Sequence, residues 1–217
     1  MDTRKLLAEA IGTFILVGVG SLVIVSAGAA QVPGLIVVPF GFGLGLLAAI
    51  ALTGHISGGH YNPALTLAAL ADRRIDVTGA IGYVVAQVVG AIAASAVILV
   101  LTDSAAVAGT RNVPGAGVSD LSAFIAEVIL TAIFVAVILT VTRHDPGHAW
   151  LVIPLTLLVI HFAGIPISGA SVNPARALGP ALVSGDLTSI WIYLTAPFVG
   201  GLLGWAVYRL LGNDAGE

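Results

Sequence analysis

Ile56-Ser57-Gly58 followed by Asn62-Pro63-Ala64 recurs 111 residues later as Ile167-Ser168-Gly169 followed by Asn173-Pro174-Ala175. The flanking sequence repeats as well. Ala8-Glu9 with Thr13 matches Ala126-Glu127 with Thr131, and Tyr83, Ala86, Val89 and Gly90 match Tyr193, Ala196, Val199 and Gly200. Self-similarity over this length means that two copies of one unit make up the fold. The copies span about residues 1–105 and 120–217 of a single 217-residue domain.

The apolar runs define that unit. With 58% hydrophobic and 9% charged residues, the chain has too little polar surface to cover a water-soluble globule. Helices are expected near residues 6–30, 35–52, 77–101, 121–141, 149–165 and 190–211, each long enough to approach or complete a bilayer crossing. Two further apolar segments, 62–71 and 173–183, reach only about 15 Å at the helical rise and so go halfway. The expected fold is all-α: six transmembrane helices plus two re-entrant half-helices. Three crossings per copy force the second copy to enter from the opposite face, and inverted repeats place their site at the bilayer midplane.

Six crossings put both termini on one side. Arg4, Lys5, Arg73, Arg74, Arg143 and Arg209 fall on that face, with Arg111 opposite, so it is expected to be cytoplasmic. Arg4 and Lys5 before an apolar run resemble a secretory leader, but the run is too long and contains Glu9, so it is read as a retained first helix. The eight Lys and Arg are scattered and the net charge is −3, which gives nucleic acid no basic face to bind. The absence of cysteine excludes disulfides, thiolate metal sites and thiol catalysis.

Asn is a good helix N-cap and Pro suits the first helical position, so Asn62-Pro63 and Asn173-Pro174 read as starts of the half-helices. One such tripeptide is an ordinary helix start; two at equivalent repeat positions, each leading a half-span, point to a function. The loops expected at 54–61 and 164–172 are tolerated at membrane depth only inside protein or beside water, which calls for a lumen. Facing helix N-termini create a positive potential that opposes cations. Two carboxamides that donate to one water occupy both its lone pairs, which interrupts proton hopping.

Arg176 follows the second tripeptide, where a charge is costly unless it meets polar surroundings. It either lines the lumen or snorkels to the outer headgroups, and the adjacent half-helix N-terminus favours the lumen. Glu9 and Glu127 are the acids within the spans. Their symmetry favours acceptance of backbone N–H groups from the re-entrant loops over a proton relay. His60, like His55, reads as a loop-bracing or wall residue, since no carboxylate lies at ligand spacing and no metal or cofactor is implied. His144 and His148 flank Asp145-Pro146 in a turn, where a solvated loop is the simplest reading.

The doubled Asn-Pro-Ala with Arg after the second copy resembles the aquaporin (major intrinsic protein) family along nearly the whole chain. The resemblance implies a passive water channel in the plasma membrane, a homotetramer with one pore per subunit, and a midpoint at Asn62, Pro63, Ala64, Asn173, Pro174 and Ala175. It also implies a filter of Phe42, His161, Ala170 and Arg176. An aromatic ring, an imidazole and a guanidinium form a narrow polar opening. Glycerol-passing members place Asp after the Arg, where this chain has Ala177. Water channels usually carry Cys or Thr where Ala170 stands, so peroxide, ammonia or glycerol is the alternative permeant. Tyr193-Leu194 half matches the glycerol branch.

Two rival classes remain. An ion-coupled transporter also uses inverted repeats and broken helices, but it needs acids at the breaks. An intramembrane serine protease would use Ser57 or Ser168, yet each serine is duplicated with the repeat and lacks a Gly-x-Ser-Gly context. Mercuric ion is expected to leave osmotic shrinkage of proteoliposomes unchanged, because the chain has no cysteine to capture it. Full inhibition that a reducing thiol reverses would contradict this.

Overall fold

The computed structural model describes residues 2–212. Residue 1 and residues 213–217, at the ends of the expected domain and second repeat, lie outside them. The described elements are all helical: α1 Thr3–Ala29, α2 Gly34–Ser57, α3 Pro63–Ala71, α4 Val77–Leu101, α5 Ser104–Gly109, α6 Asp120–His144, α7 Ala149–Ser168, α8 Pro174–Ser184 and α9 Ile190–Leu211. Helices α1, α2, α4, α6, α7 and α9 are long and apolar enough to cross a membrane. Their outward faces carry exposed aliphatics such as Ile81, Val100, Leu155 and Val159, the surface that lipid requires. With nine and eleven residues, α3 and α8 are half-spans.

Helix starts follow capping chemistry. Asp2, Asp76, Asp103 and Ser119 each accept a backbone N–H of the helix that they precede, which satisfies one of its orphan donors. Packing then follows the repeat. In the first half α1 lies against α2 and α4; in the second α6 lies against α7 and α9. The half-helices cross over, so that α3 packs on α9 and α8 packs on α4. Neither copy is complete alone, because each half-helix finds its wall in the other.

Close approach depends on missing side chains. A Cβ at Gly90 in α4 would strike the Ala10 carbonyl of α1, and one at the repeat mate Gly200 in α9 would strike the Val128 carbonyl of α6. Small residues at such crossings let backbones come into contact.

The structure corrects the expected boundaries. α2 continues to Ser57, past the expected end at residue 52, through a π-helical stretch at Ile50–Gly54, and α7 continues to Ser168 rather than stopping at 165. The irregular stretches thereby shrink to 58–61 and 169–172. Each helix stops at a glycine in the left-handed conformation, Gly58 (φ 89°) and Gly169 (φ 77°). His55 is therefore helical and not in the loop. The connection between α4 and α6 contains α5, capped by Asp103.

Gly90→Leu and Gly200→Leu are each expected to destabilise the protein by about 1–3 kcal/mol or more, the cost of overpacking a tight contact. Thermal unfolding in detergent reads this, and an unchanged midpoint would mean that the helices separate freely.

Candidate functional site

The N-termini of α3 and α8 meet tip to tip. Asn62 and Asn173 are extended N-caps whose side-chain oxygens accept the Ala64 N–H at 2.9 Å and the Ala175 N–H at 3.0 Å. Their amide nitrogens reach across the junction. Asn62 Nδ2 donates to the Val172 carbonyl at 2.7 Å, and Asn173 Nδ2 donates to the Tyr61 carbonyl at 2.9 Å. Each carboxamide thus spends one N–H on the opposite loop and keeps one for a molecule between them, the single donor apiece that occupying both lone pairs of one water requires. Pro63 and Pro174 occupy first helical positions. Ala64 and Ala175 are fully buried packing residues, so only the one asparagine of each tripeptide lines the cavity.

Tyr61 and its repeat mate Val172 are left-handed, with φ of 47° and 46°. Such backbone is unfavourable for a residue with a Cβ, most of all a β-branched one, and persists only when its surroundings hold it. Two carboxylates do so. Glu9 Oε2 accepts the Tyr61 N–H and Glu127 Oε2 accepts the Val172 N–H, both at 2.7 Å. The other oxygens accept His60 N–H and Ser57 Oγ, at 2.9 and 2.7 Å, and Ser171 N–H and Ser168 Oγ, at 2.8 and 2.7 Å. Both carboxylates are completely buried. The two serine hydroxyls are committed to these acids.

A cavity of about 350 Å³ runs past this junction. One wall is polar, made by Gly58, Gly59, His60, Asn62, Val172 and Asn173 of the loops. The other is apolar, with Leu16, Leu65, Ile138 and Leu157 among its residues. Arg74 lines one end: its guanidinium donates to Thr142 Oγ1 at 2.7 Å and the Leu139 carbonyl at 3.0 Å, and pairs with Asp72 at 2.8 Å.

At the opposite end stand Phe42, His161 and Arg176, three of the four positions expected there. Phe42 and His161 stack with centroids 4.5 Å apart, and the Arg176 guanidinium lies 4.7 Å over the Phe42 ring. His161 Nδ1–H donates to the Leu157 carbonyl at 2.9 Å, which fixes the tautomer and leaves Nε2 as an unpaired acceptor. Arg176 Nη1 donates to the Thr110 carbonyl at 3.2 Å and to Asn112 Oδ1, while its Nε–H has no partner. A donor and an acceptor, both buried, are thus left without a protein partner at this end. The fourth position differs: Ala170 is fully buried, packs toward Gly164, and is off the cavity wall.

Several contributors escaped the sequence reading. Gln87 Nε2 donates to Glu9 at 2.7 Å and to Thr66 at 3.0 Å, a brace without a counterpart at Pro197, the equivalent repeat position. Tyr83 and Tyr193 hydroxyls donate to the Ser57 and Ser168 carbonyls at 2.7 and 2.8 Å. Their pairing in the repeat was the available signal. Thr110 and Asn112 gave none, since they lie in the connection between copies.

The family described as Major intrinsic protein matches residues 1–208. Aquaporin Z of Photorhabdus laumondii is 41% identical over 96% of this chain and 97% of its own length. The glycerol uptake facilitator protein-like 6 of Lactiplantibacillus plantarum is 39% identical over 97% and 99%. The solved structure of the aquaglyceroporin from Plasmodium falciparum superposes with a TM-score of 0.87 over 95% of each chain at 24% identity, a likeness of fold.

Glu127→Ala strands the N–H groups of Ser171 and Val172, at about 1–3 kcal/mol each for a buried unsatisfied donor. The variant is expected to unfold several degrees or more below the parent in detergent, and Glu127→Gln, which keeps one acceptor oxygen, to fall between them. Parent-like unfolding of the alanine variant would refute the bracing role.

Proposed function

This chain belongs to the major intrinsic protein family, and on that premise we propose that it conducts water selectively through the cavity between its two half-helices. Family membership makes it a multi-pass membrane channel and not an enzyme. The water-selective reading goes further and rests on one observation. Beside the Phe42 ring, His161 Nε2 and the Arg176 Nε–H are one acceptor and one donor, both buried and without a protein partner. A water molecule satisfies both at once; a carbon backbone would have to displace the aromatic face.

The midpoint supplies exclusion of ions and protons. The N-termini of α3 and α8 face each other with roughly half a positive charge apiece, which opposes cations. The remaining N–H of Asn62 and of Asn173 donates to a passing water and takes the lone pairs that a proton relay needs. The buried acids carry hydrogen bonds from the loops, as scaffold groups do, so an ion-coupled cycle has no carboxylate at the lumen.

The proposal includes a homotetramer with one lumen per subunit, residence in the plasma membrane, cytoplasmic termini, and two inverted copies within one domain. The basic residues support the orientation: Arg4, Lys5, Arg73, Arg74, Arg143 and Arg209 share the face of the termini. Passage of glycerol, peroxide or ammonia is the second reading, favoured by the relative named a glycerol uptake facilitator-like protein.

Parallel water, glycerol and proton fluxes in proteoliposomes test the proposal. Water permeability well above that of empty vesicles, without added proton leak or matching glycerol flux, is expected. Phe42→Ala with Arg176→Ala should raise the glycerol-to-water ratio by about tenfold, equivalent to roughly 1.4 kcal/mol off the glycerol barrier. An unchanged ratio would remove these residues from selection.

A further inference from the structure

The Arg176 guanidinium is held by the outer connection between the two copies. Thr110 gives its carbonyl and Asn112 its side-chain oxygen to Arg176 Nη1. Asn112 is itself doubly committed, since its Nδ2 donates to the Gly169 carbonyl at 2.9 Å. One buried carboxamide thereby ties Arg176 to the start of the second re-entrant loop. Between these two residues, Arg111 turns the other way. Its Nη2 pairs with Asp186 Oδ2 at 2.5 Å and its Nη1 donates to the Asp186 carbonyl at 3.2 Å.

Asp186 lies just beyond Ser184, the last residue of α8, the helix whose first turn carries Arg176. The ion pair therefore staples the loop to one end of α8 while Thr110 and Asn112 grip the side chain at the other end. Asp186 is ionised: hydrogen bonds from Thr188 hold its carboxyl below the usual carboxylate range, with the Arg111 charge adding to the effect. α5, anchored by the fully buried Val107, packs on α8 and fixes where the staple begins.

We propose that Asn112 and the Arg111–Asp186 ion pair are positioning residues that hold the Arg176 guanidinium, and so set which solutes the narrow end admits. This rests on the reading that Phe42, His161 and Arg176 select. The mechanism is mechanical. Arg176 has its Phe42 contact on one side and the Thr110–Asn112 grip on the other, and loosening the grip lets the guanidinium leave its place for a larger solute. Breaking or screening a partly exposed ion pair is expected to change a ratio of fluxes by up to about fivefold.

The experiment measures the glycerol-to-water permeability ratio of proteoliposomes as impermeant external salt is raised at constant osmolarity. From about 0.05 to 1 M, screening shortens the Debye length to about 3 Å and weakens the exposed pair. The parent ratio should rise about two- to fivefold. Asp186→Asn should start at the raised ratio and lose the salt dependence, with water permeability within about twofold of the parent. Asp186→Glu should restore both, and Asn112→Ala should raise the ratio by removing the grip itself. A role confined to loop stability would lower the unfolding temperature without salt-linked selectivity. A salt-independent parent ratio overturns the proposal even if a variant fails to fold. If Arg176→Ala changes the ratio while Asp186→Asn and salt do not, the positioning device alone fails. If Arg176→Ala changes nothing, the selective-ring reading has failed first.

Discussion

Two crossed hydrogen bonds hold this structure at its centre. Asn62 caps α3 with its oxygen and donates to Val172; Asn173 caps α8 and donates to Tyr61. The carbonyls that receive these bonds belong to the two left-handed residues whose N–H groups end on Glu9 and Glu127. Each strained residue is therefore gripped at both its donor and its acceptor, once by its own copy and once by the other. Neither loop can take this shape alone, because a left-handed Val or Tyr would relax without both partners. The cross-packing of α3 on α9 and α8 on α4 is the same dependence at the scale of whole helices.

That arrangement explains why buried carboxylates are tolerable in a span. A charge in hydrocarbon is costly, but each acid here gathers two backbone N–H groups and a serine hydroxyl within 2.9 Å. The acids replace the water that the re-entrant loops would otherwise demand. With their donors turned outward to the acids, the loops present the polar side of the cavity, while aliphatic side chains form the opposite side. A small solute in the cavity finds hydrogen-bond partners on the polar lining only, which suits passage without strong binding.

Much of this can be read from residues alone, and what cannot has one physical cause. The helix starts at Asn62 and Asn173 are local capping chemistry, and the role of Glu9 and Glu127 follows from their place as repeat mates. Where α2 and α7 end is less legible, because the helix runs on past the apolar run and through Gly54 and Gly164 before a glycine turns left-handed, at Gly58 and Gly169. The convergence of Phe42, His161 and Arg176 is visible only through family resemblance, since nothing in their spacing makes them neighbours. Ala170 shows the limit of that transfer: the position aligns, yet its methyl group points into packing. Thr110, Arg111 and Asn112 are illegible because they have no repeat mate, and their partners arrive from 57 to 75 residues away.

Symmetry therefore accounts for the scaffold, and departures from symmetry mark where the two ends differ. The first copy has Gln87 and Thr66 behind Glu9, where the second copy has Pro197 and Ala177. A fourth donor stiffens the first loop from behind. The second copy has its distinctive polar residue in front, with Arg176 one position after the second Asn-Pro-Ala, where the first copy has Leu65. An arginine there cannot be satisfied by its own repeat, which has spent its acid on the loop. It draws instead on the one segment that belongs to neither copy, through Thr110 and Asn112. A pore built from duplicated halves thus becomes different at its two mouths at the point where the connection between them, free of the repeat's constraints, supplies new partners.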